Sequence, residues 1–300
     1  MTSLRIGTRG SALALWQARW VASQLEAAGI TASIEVIHTT GDRVLDVTLA
    51  KVGTKGMFTK EIEEALLSGS IDIAVHSLKD MPAEIPPGLT LAAVPVRADA
   101  RDAACGRLLD SLPNGARVGT SSPRRSAQVR ALRPDLEILD IRGNVDTRLR
   151  KLDEGRYDAI LLASAGLDRL GWGARIVERF DPSRLCPAPG QGALAIEARE
   201  GSEAAQLAAR VLDDEAARRA VTAERAVLLE LGAGCQAPVG AHATARNGVL
   251  HLDTVVALPD GSRIVRWSEE GSEAATLGRN AARRMLERGA DEILAAAAGS

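Results

Sequence analysis

The chain has 300 residues, of which 46% are hydrophobic, enough for two or three domains with their own cores. Its formal net charge is only −2, so bulk electrostatics give no reason to expect nucleic acid or an acidic membrane surface as a partner. Any anion that the protein binds must therefore be met by local clusters of basic residues.

The three cysteines, Cys105, Cys186 and Cys235, are widely spaced, with no CxxC pair and no histidines at ligand spacing. We therefore expect neither structural disulfides nor a metal site. Leu4 begins a strand pattern where a signal peptide would have a charged and then apolar leader, and no apolar run approaches about eighteen residues. These features predict a cytoplasmic protein, with a monomer as the default state.

The first elements predict an anion site. Residues 4–8 are typical of a strand, and Ser11 is placed to cap a helix. This junction leaves backbone N–H groups unpaired and adds the positive end of a helix dipole, with Arg9 beside it. Residues 32–39 alternate like a second strand. The charged, glycine-containing segment 41–56 has no period, and we predict a mobile loop that acts as a lid.

A short helix is predicted over residues 58–67 and a buried strand over residues 71–75. Ser77, Lys79 and Asp80 follow this strand. Ligands of open α/β sheets collect outside the carboxyl ends of strands, although an ordinary polar turn would have the same composition. The four histidines show no helical pairing, so proton transfer falls to a carboxylate, with Asp80 best placed.

The second lobe repeats this pattern. Strands are predicted over residues 117–120, 136–141 and 157–163, and basic residues follow each of them. Their shared position predicts one basic cleft, lined by Arg124, Arg125, Arg142, Arg148 and Arg169. An isolated arginine is more often a solvated surface residue, and the excess of arginine over lysine is also consistent with genome composition.

The remaining chain predicts a third domain. Residues 186–192 form a return rich in proline and glycine, where a formal G-x-G-x-x-A match lacks the preceding strand that a nucleotide site requires. Helical patterns start at Ser202 and Asp213. Three alternating segments (239–244, 249–258 and 262–267) and a closing helix (273–294) then predict a small antiparallel sheet with a helix. The predicted domains are 1–95 with 193–212, 98–190, and 215–300.

Cys235 stands in the glycine-rich turn between the helix that ends near residue 230 and the antiparallel sheet. The adjacent glycines remove steric bulk and Pro238 stiffens the chain, which favours a thiol that is exposed and not packed in the interior. The alternative is a small buried apolar residue, the commoner environment of a free cysteine.

Seven motifs in order resemble those of the porphobilinogen deaminases, also called hydroxymethylbilane synthases. They occupy residues 8–14, 51–56, 76–82, 118–125, 142–148, 189–192 and 234–238. The resemblance covers nearly the whole chain. Pro123 replaces an apolar residue such as leucine, and Ala233 replaces a glycine that is common there, but neither is a reacting group.

The resemblance implies an α/β fold with two lobes similar to type II periplasmic binding proteins, and a small α+β third domain with an antiparallel sheet. It also implies a dipyrromethane cofactor attached to Cys235 through a thioether. Four porphobilinogen molecules would be added in turn, each losing ammonia, before hydrolysis releases hydroxymethylbilane. Such a protein is a transferase of tetrapyrrole and haem biosynthesis.

The same resemblance implies roles for individual residues. Asp80 would hold pyrrole N–H groups and stabilise the cation left when ammonia departs. The cofactor would be bound by Ser77, Lys79, Asp80, Thr120, Ser121, Ser122, Arg124, Arg125, Arg142, Asn144 and Gln191. The substrate would be bound by Arg9, Ser11, Lys51, Lys55, Arg148 and Arg169.

A second hypothesis is a non-catalytic binding module that clamps a carboxylated small molecule between two lobes. It explains the lobes and the arginines equally well. It does not explain Cys235 on a separate domain.

Overall fold

The structure is a computed structural model that describes residues 3–39, 59–234 and 237–298. It divides into two compact units, residues 1–98 with 193–218 and residues 99–192 with 219–300. The predicted lid, with Lys51 and Lys55, and Cys235 lie outside the described residues. The domain boundaries stay a prediction. Within the described ranges, no helix combines the length and apolar character that a membrane crossing requires.

The described strands are Ser3–Thr8 (β1), Thr31–Val36 (β2), Ile73–Ser77 (β3), Leu89–Ala93 (β4), Asp102–Gly106 (β5), Arg117–Gly119 (β6), Glu137–Leu139 (β7), Ala159–Ala163 (β8), Ile176–Arg179 (β9), Leu194–Arg199 (β10), Val239–Arg246 (β11), Val249–Ala257 (β12) and Ile264–Gly271 (β13). The described helices are Ala12–Ala27 (α1), Lys60–Leu67 (α2), Pro123–Leu132 (α3), Val145–Asp153 (α4), Ser164–Arg169 (α5), Glu203–Leu212 (α6), Glu215–Glu230 (α7), Ala274–Leu286 (α8) and Ala290–Ala298 (α9).

The first unit contains a five-stranded sheet in the order β2-β1-β3-β10-β4. β1 is parallel to β2 and β3, whereas β10 is antiparallel to both of its neighbours. Apolar residues of α1 and α6 share one core cluster with this sheet, and α2 packs in a second cluster with Ala74. The sheet is therefore covered by helices on both faces, as a largely parallel sheet requires.

The second unit contains a sheet with the same arrangement, in the order β7-β6-β8-β5-β9. β6 is parallel to β7 and β8, and β5 is antiparallel to β8 and β9. In this sheet β5 is the antiparallel strand, and it is fourth in the order, as β10 is in the first sheet. In sequence, β5 is the first strand of its unit, whereas β10 is the last strand of the first unit. This repetition confirms the prediction of two similar α/β lobes.

The third sheet is β11-β12-β13, antiparallel throughout. Asn247 and Gly248, both with positive φ, make the tight turn between β11 and β12. Buried residues of α8 and α9, including Leu277 and Ile293, belong to the core of this part of the chain. The predicted antiparallel sheet is confirmed.

Two sequence expectations were wrong. The closing helix over residues 273–294 is two helices, because Gly289 adopts a φ of 84° after α8 ends. The strands β4, β5, β9 and β10 were missed. β5, for example, is buried and alanine-rich, so it shows neither alternation nor a run of β-branched residues.

Helices α7 and α8 cross at Gly278, where the space between them has no room for a side chain. A Cβ atom at Gly278 would lie 2.2 Å from the carbonyl oxygen of Ala223 and 2.6 Å from the Cβ atom of Ala226. The backbones therefore approach more closely than any other residue type would allow.

We predict that Gly278→Ala lowers the melting temperature by roughly 2–6 °C in calorimetry. The added methyl meets a backbone oxygen and forces the helices apart, at a cost of about 2–3 kcal/mol, which exceeds the gain of about 1 kcal/mol in helix propensity. Asn280→Ala, at an exposed position of the same helix, is the control and should leave the melting temperature unchanged or higher. An unchanged value for Gly278→Ala would contradict the close crossing.

Candidate active site

Candidate ligand-binding residues follow the carboxyl ends of parallel strands in each unit. In the first unit, Arg9 follows β1 and Ser77 ends β3. In the second unit, Thr120 follows β6 and Arg142 lies soon after β7, and these two strands are also parallel. Parallel strands end at one edge of their sheet, so each unit gathers these groups at one edge.

A pocket of about 70 Å³ opens at this edge of the first unit. Its lining brings together four predicted site residues that are distant in sequence: Arg9, Ser11, Ser77 and Asp80. Three further polar residues that the sequence did not indicate also line it: Gln17, Thr59 and His76. Ligand binding by the predicted residues remains a prediction, but their common location is a finding.

One wall of this pocket is the N-terminus of α1. The Ser11 hydroxyl accepts a hydrogen bond from the backbone N–H of Ala14 at 3.3 Å, which confirms the predicted cap. The buried amide of Gln17 on α1 donates to the Ser77 hydroxyl at 2.9 Å. The helix dipole and Arg9 make this wall suited to an anion.

The acidic side of the pocket is formed by the turn after β3. Asp80 is exposed at the end of a short 3₁₀ turn, Leu78–Asp80, which is anchored by the buried side chains of Leu78 and Met81. Lys79 lies partly buried in the same turn and is not among the residues that line this pocket. The pocket therefore combines a carboxylate with a guanidinium and a helix N-terminus.

In the second unit, Arg124 and Arg125 are buried against one carboxylate. Arg124 Nη1 donates to Asp102 Oδ2 at 2.6 Å, and Arg125 Nε donates to Asp102 Oδ1 at 2.8 Å. Gln191 Nε2 donates to the same Oδ1 at 2.8 Å. Asp102 is completely buried, and its sequence context did not indicate it, because β5 carries no recognisable strand pattern.

Charge balance holds this cluster together. Burial alone would raise the pKa of Asp102, but the charges of Arg124 and Arg125 outweigh burial and hold that pKa well below its usual range. Burial lowers the pKa of Arg125, and the Asp102 charge opposes that effect. Much of the donor capacity of both guanidinium groups is therefore used within the protein. Arg124 Nε, however, is buried with no partner among the described residues.

The three hydroxyl residues that precede α3 hold the local backbone. Ser122 caps α3 by accepting from Arg125 N at 3.4 Å. The Ser121 hydroxyl donates to the carbonyl of Ile141 at 2.7 Å and accepts from the N–H of the same residue at 3.1 Å. Thr120 Oγ1 accepts from Ser122 N at 3.2 Å. The Ser121 hydroxyl therefore ties the turn after β6 to the segment after β7, whereas the other two hydroxyls hold the turn itself.

The remaining predicted arginines lie in or beside neighbouring loops. Arg148 Nε donates to the carbonyl of Gly143 at 2.8 Å, and Arg169 Nη2 donates to that of Gly192 at 2.8 Å. Burial lowers the pKa of Arg169 to about 10, so it stays charged at neutral pH. Arg142 is partly buried, and Asn144 is the exposed residue at the start of α4.

Glu224 fastens the return segment to the third sheet. Its buried carboxylate accepts from Gly190 N at 2.6 Å and from Ala243 N at 2.8 Å. Glu224 lies on α7, the helix after which Cys235 follows in sequence, and Gly190 is adjacent to Gln191 of the Asp102 cluster. Hydrogen bonds therefore connect the arginine cluster to the elements that precede and follow Cys235 in the chain.

Two family models match the chain. "Porphobilinogen deaminase, dipyromethane cofactor binding domain" matches residues 4–207, and "Porphobilinogen deaminase, C-terminal domain" matches residues 218–287. A porphobilinogen deaminase of Roseiflexus castenholzii is 52% identical, covering 98% of this chain and 99% of the relative. That of Deinococcus radiodurans is 50% identical, covering 99% of each chain.

Solved structures of binding proteins are more distant. The methionine binding protein MetQ is 12% identical with a TM-score of 0.45, covering 70% of this chain and 89% of MetQ. A periplasmic substrate-binding protein of an ABC transporter from Coxiella burnetii is 16% identical with a TM-score of 0.42, covering 72% and 94%.

We predict that Asp102→Asn lowers the free energy of unfolding by about 3–5 kcal/mol at pH 7, because it leaves two buried arginines without their counter-charge. The depressed pKa makes this stabilisation fully present above the unfolded value of about 4 and lost as pH falls below it. Urea unfolding should therefore give a constant difference from wild type between pH 5 and 8, shrinking only below about pH 4.

The control for this prediction is Asp110→Asn. Its side chain is 69% exposed and paired with Arg184 at the surface, so the change should cost less than about 1 kcal/mol. Equal losses in the two variants would show that the buried cluster is not held by charge.

Proposed function

The chain belongs to the porphobilinogen deaminase family, and from that premise we propose that it joins four porphobilinogen molecules head to tail, with loss of ammonia, and releases hydroxymethylbilane by hydrolysis. This is the transferase reaction of tetrapyrrole biosynthesis carried out by hydroxymethylbilane synthase. The structural observation that supports it is the pocket in which Arg9 and the capped start of α1 face the same small space as Asp80.

Binding of substrate carboxylates explains why one side of the pocket is basic. Each pyrrole ring carries an acetate and a propionate, so the growing chain accumulates negative charge. Arginine forks and helix N-termini are the groups that bind carboxylates best. We assign the substrate carboxylates in the first unit to Arg9 and Ser11, and those of later rings to Arg148 and Arg169.

Asp80 accounts for the acidic side. Loss of ammonia from the aminomethyl group leaves a cationic azafulvenium on the substrate, and a nearby carboxylate stabilises that charge. The same carboxylate accepts hydrogen bonds from pyrrole N–H groups. Electrostatic stabilisation of this kind is worth several kcal/mol in a partly dry site, on the order of 3–4 for one well-placed group.

The second unit has the donors that a carboxylated dipyrromethane requires. When bound, this cofactor supplies the free pyrrole carbon to which the first substrate ring is added. Arg124 Nε is buried and has no hydrogen-bond partner among the described residues, so it can donate to a cofactor carboxylate. Arg142 lies at the same edge of the sheet. These residues, with Thr120 to Ser122 and Gln191, would hold the cofactor carboxylates, and Cys235 would carry the thioether.

We further propose a monomer that works in the cytoplasm on a small molecule, with neither nucleic acid nor membrane as a partner. The near-neutral net charge of −2 supports this assignment. A non-catalytic binding module would need no thiol at Cys235 and no carboxylate at Asp80.

We predict that Cys235→Ser folds but forms no covalent adduct and almost no product, because an alcohol is a far weaker nucleophile than a thiolate. Intact-mass measurement should show two additional pyrrole units on the wild type and an unmodified chain for the variant. Cys105→Ser, at a buried position in β5, is the control and should keep the adduct. An adduct on Cys235→Ser would remove this cysteine from the mechanism.

We predict that Asp80→Asn binds substrate but slows bond formation by roughly 100-fold or more, about 2.7 kcal/mol, because the amide keeps the hydrogen bonding and loses the charge. Asp80→Glu keeps the charge, displaced by one methylene, and should be faster than Asp80→Asn. Single-turnover kinetics measure both. A wild-type rate in Asp80→Asn would mean that another group, such as a substrate carboxylate, stabilises the cation.

A further inference from the structure

A buried carboxylate lies behind the pocket of the first unit. Glu197 on β10 is completely buried, and its Oε1 has no hydrogen-bond partner among the described residues. In the β10–β3 register Glu197 pairs with Ala74, so it lies on the face of the sheet where Ala74 packs in one cluster with Ile62 and Leu66 of α2. Burying a carboxylate among apolar residues is costly, so a half-satisfied one calls for a function beyond packing.

Among the described residues, the one hydrogen-bonding partner of the Glu197 carboxylate is a histidine of the pocket wall. Glu197 Oε2 lies 3.1 Å from Nε2 of His76, which is only 6% exposed and lines the pocket together with Asp80. An ionised carboxylate only accepts hydrogen bonds, so Nε2 is the donor. In the neutral ring the proton is then on Nε2, and Nδ1 is left as a proton acceptor.

The groups around His76 favour a proton-accepting role. Glu197 faces it from β10 and Glu63 from α2, while Asp80 and Arg9 line the same pocket. Burial raises the pKa of Glu63, and the Glu197 charge adds to that rise. Among these described groups, the acidic side chains around His76 therefore outnumber the basic ones.

We propose that His76 accepts the proton that the terminal pyrrole of the growing chain loses at each addition, and that Glu197 positions its ring for this transfer. The proposal rests on the function proposed above. His76 would be a catalytic residue, and Glu197 a positioning residue that acts through it.

The step balances as an electrophilic aromatic substitution. The C–N bond of the aminomethyl group, protonated as an ammonium, breaks, and its electron pair leaves with nitrogen as neutral ammonia, so the substrate becomes the azafulvenium cation. The α-carbon of the terminal pyrrole then forms the new C–C bond, which leaves that ring cationic. Its α C–H bond breaks, the electron pair restores the aromatic ring, and the proton moves to His76 Nδ1. From His76 the proton passes to the released ammonia or to water.

The first test needs no turnover. The imidazole proton resonances of the four histidines are followed by NMR against pH, and His76→Asn identifies the signal of His76. In Glu197→Gln the His76 signal should titrate at a pH lower by about 1 unit or more, because the carboxylate no longer stabilises the imidazolium. An unchanged titration would show that the pair is not coupled as proposed.

The second test is kinetic. One equivalent of porphobilinogen deuterated at its free α-carbon is first added to the enzyme, and the single-turnover addition of a second equivalent, which removes that deuteron, is then timed. His76→Asn should slow single-turnover addition by roughly 100-fold or more and increase the isotope effect, because proton removal becomes the slow step. In Glu197→Gln the part of the pH–rate profile in which the rate increases with pH should move to lower pH. A structural role alone would lower the rate without either change.

The control is Glu64→Gln, the same substitution at a residue of α2 whose side chain is 64% exposed. It should leave the titration and the rate profile as in wild type. Wild-type protein that fails to consume porphobilinogen would overturn the proposed function. Wild-type turnover with unchanged isotope effect and pH profile in His76→Asn and Glu197→Gln would overturn this inference alone.

Discussion

The organisation of the second unit depends on one buried carboxylate between two adjacent arginines. Asp102 is the only charge within hydrogen-bonding distance that offsets Arg124 and Arg125 in the part of the chain that the structure describes. Unpaired, each guanidinium would cost several kcal/mol in the interior, so the strand that carries Asp102 and the helix that carries the arginines must fold together. Gln191 joins the same oxygen and thereby fixes the return segment.

Hydrogen bonds from backbone N–H groups connect this cluster to the segments that precede and follow Cys235. Glu224 accepts one N–H from the return segment and one from β11, so α7 and the third sheet are held in register with the arginines. A cofactor that is covalently attached at one point and bound by its carboxylates at another needs such a rigid connection. Small displacements between the two points would misplace the reacting carbon.

Charge pairing also explains how a chain with a net charge of −2 presents strongly charged sites. In the first unit the helix N-terminus and Arg9 oppose Asp80, and the acidic residues Glu63 and Glu197 lie behind His76. Because each site balances its own charge, composition alone contains little information about it. The mechanism we propose uses both signs: cations for substrate carboxylates, and anions for the azafulvenium and the released proton.

The sequence by itself determined the strand-to-helix junction at Ser11, the antiparallel third sheet and the motifs that identify the family, because caps, turn glycines and alternation are local signals. It did not indicate Asp102, Glu197 or the catalytic candidate His76. Their partners lie 22 or more residues away in the chain, and strands such as β5 carry no periodic pattern. Only the tertiary structure decided which charges are buried together, because the strand order brings distant segments into contact and burial then sets the energy of each charge.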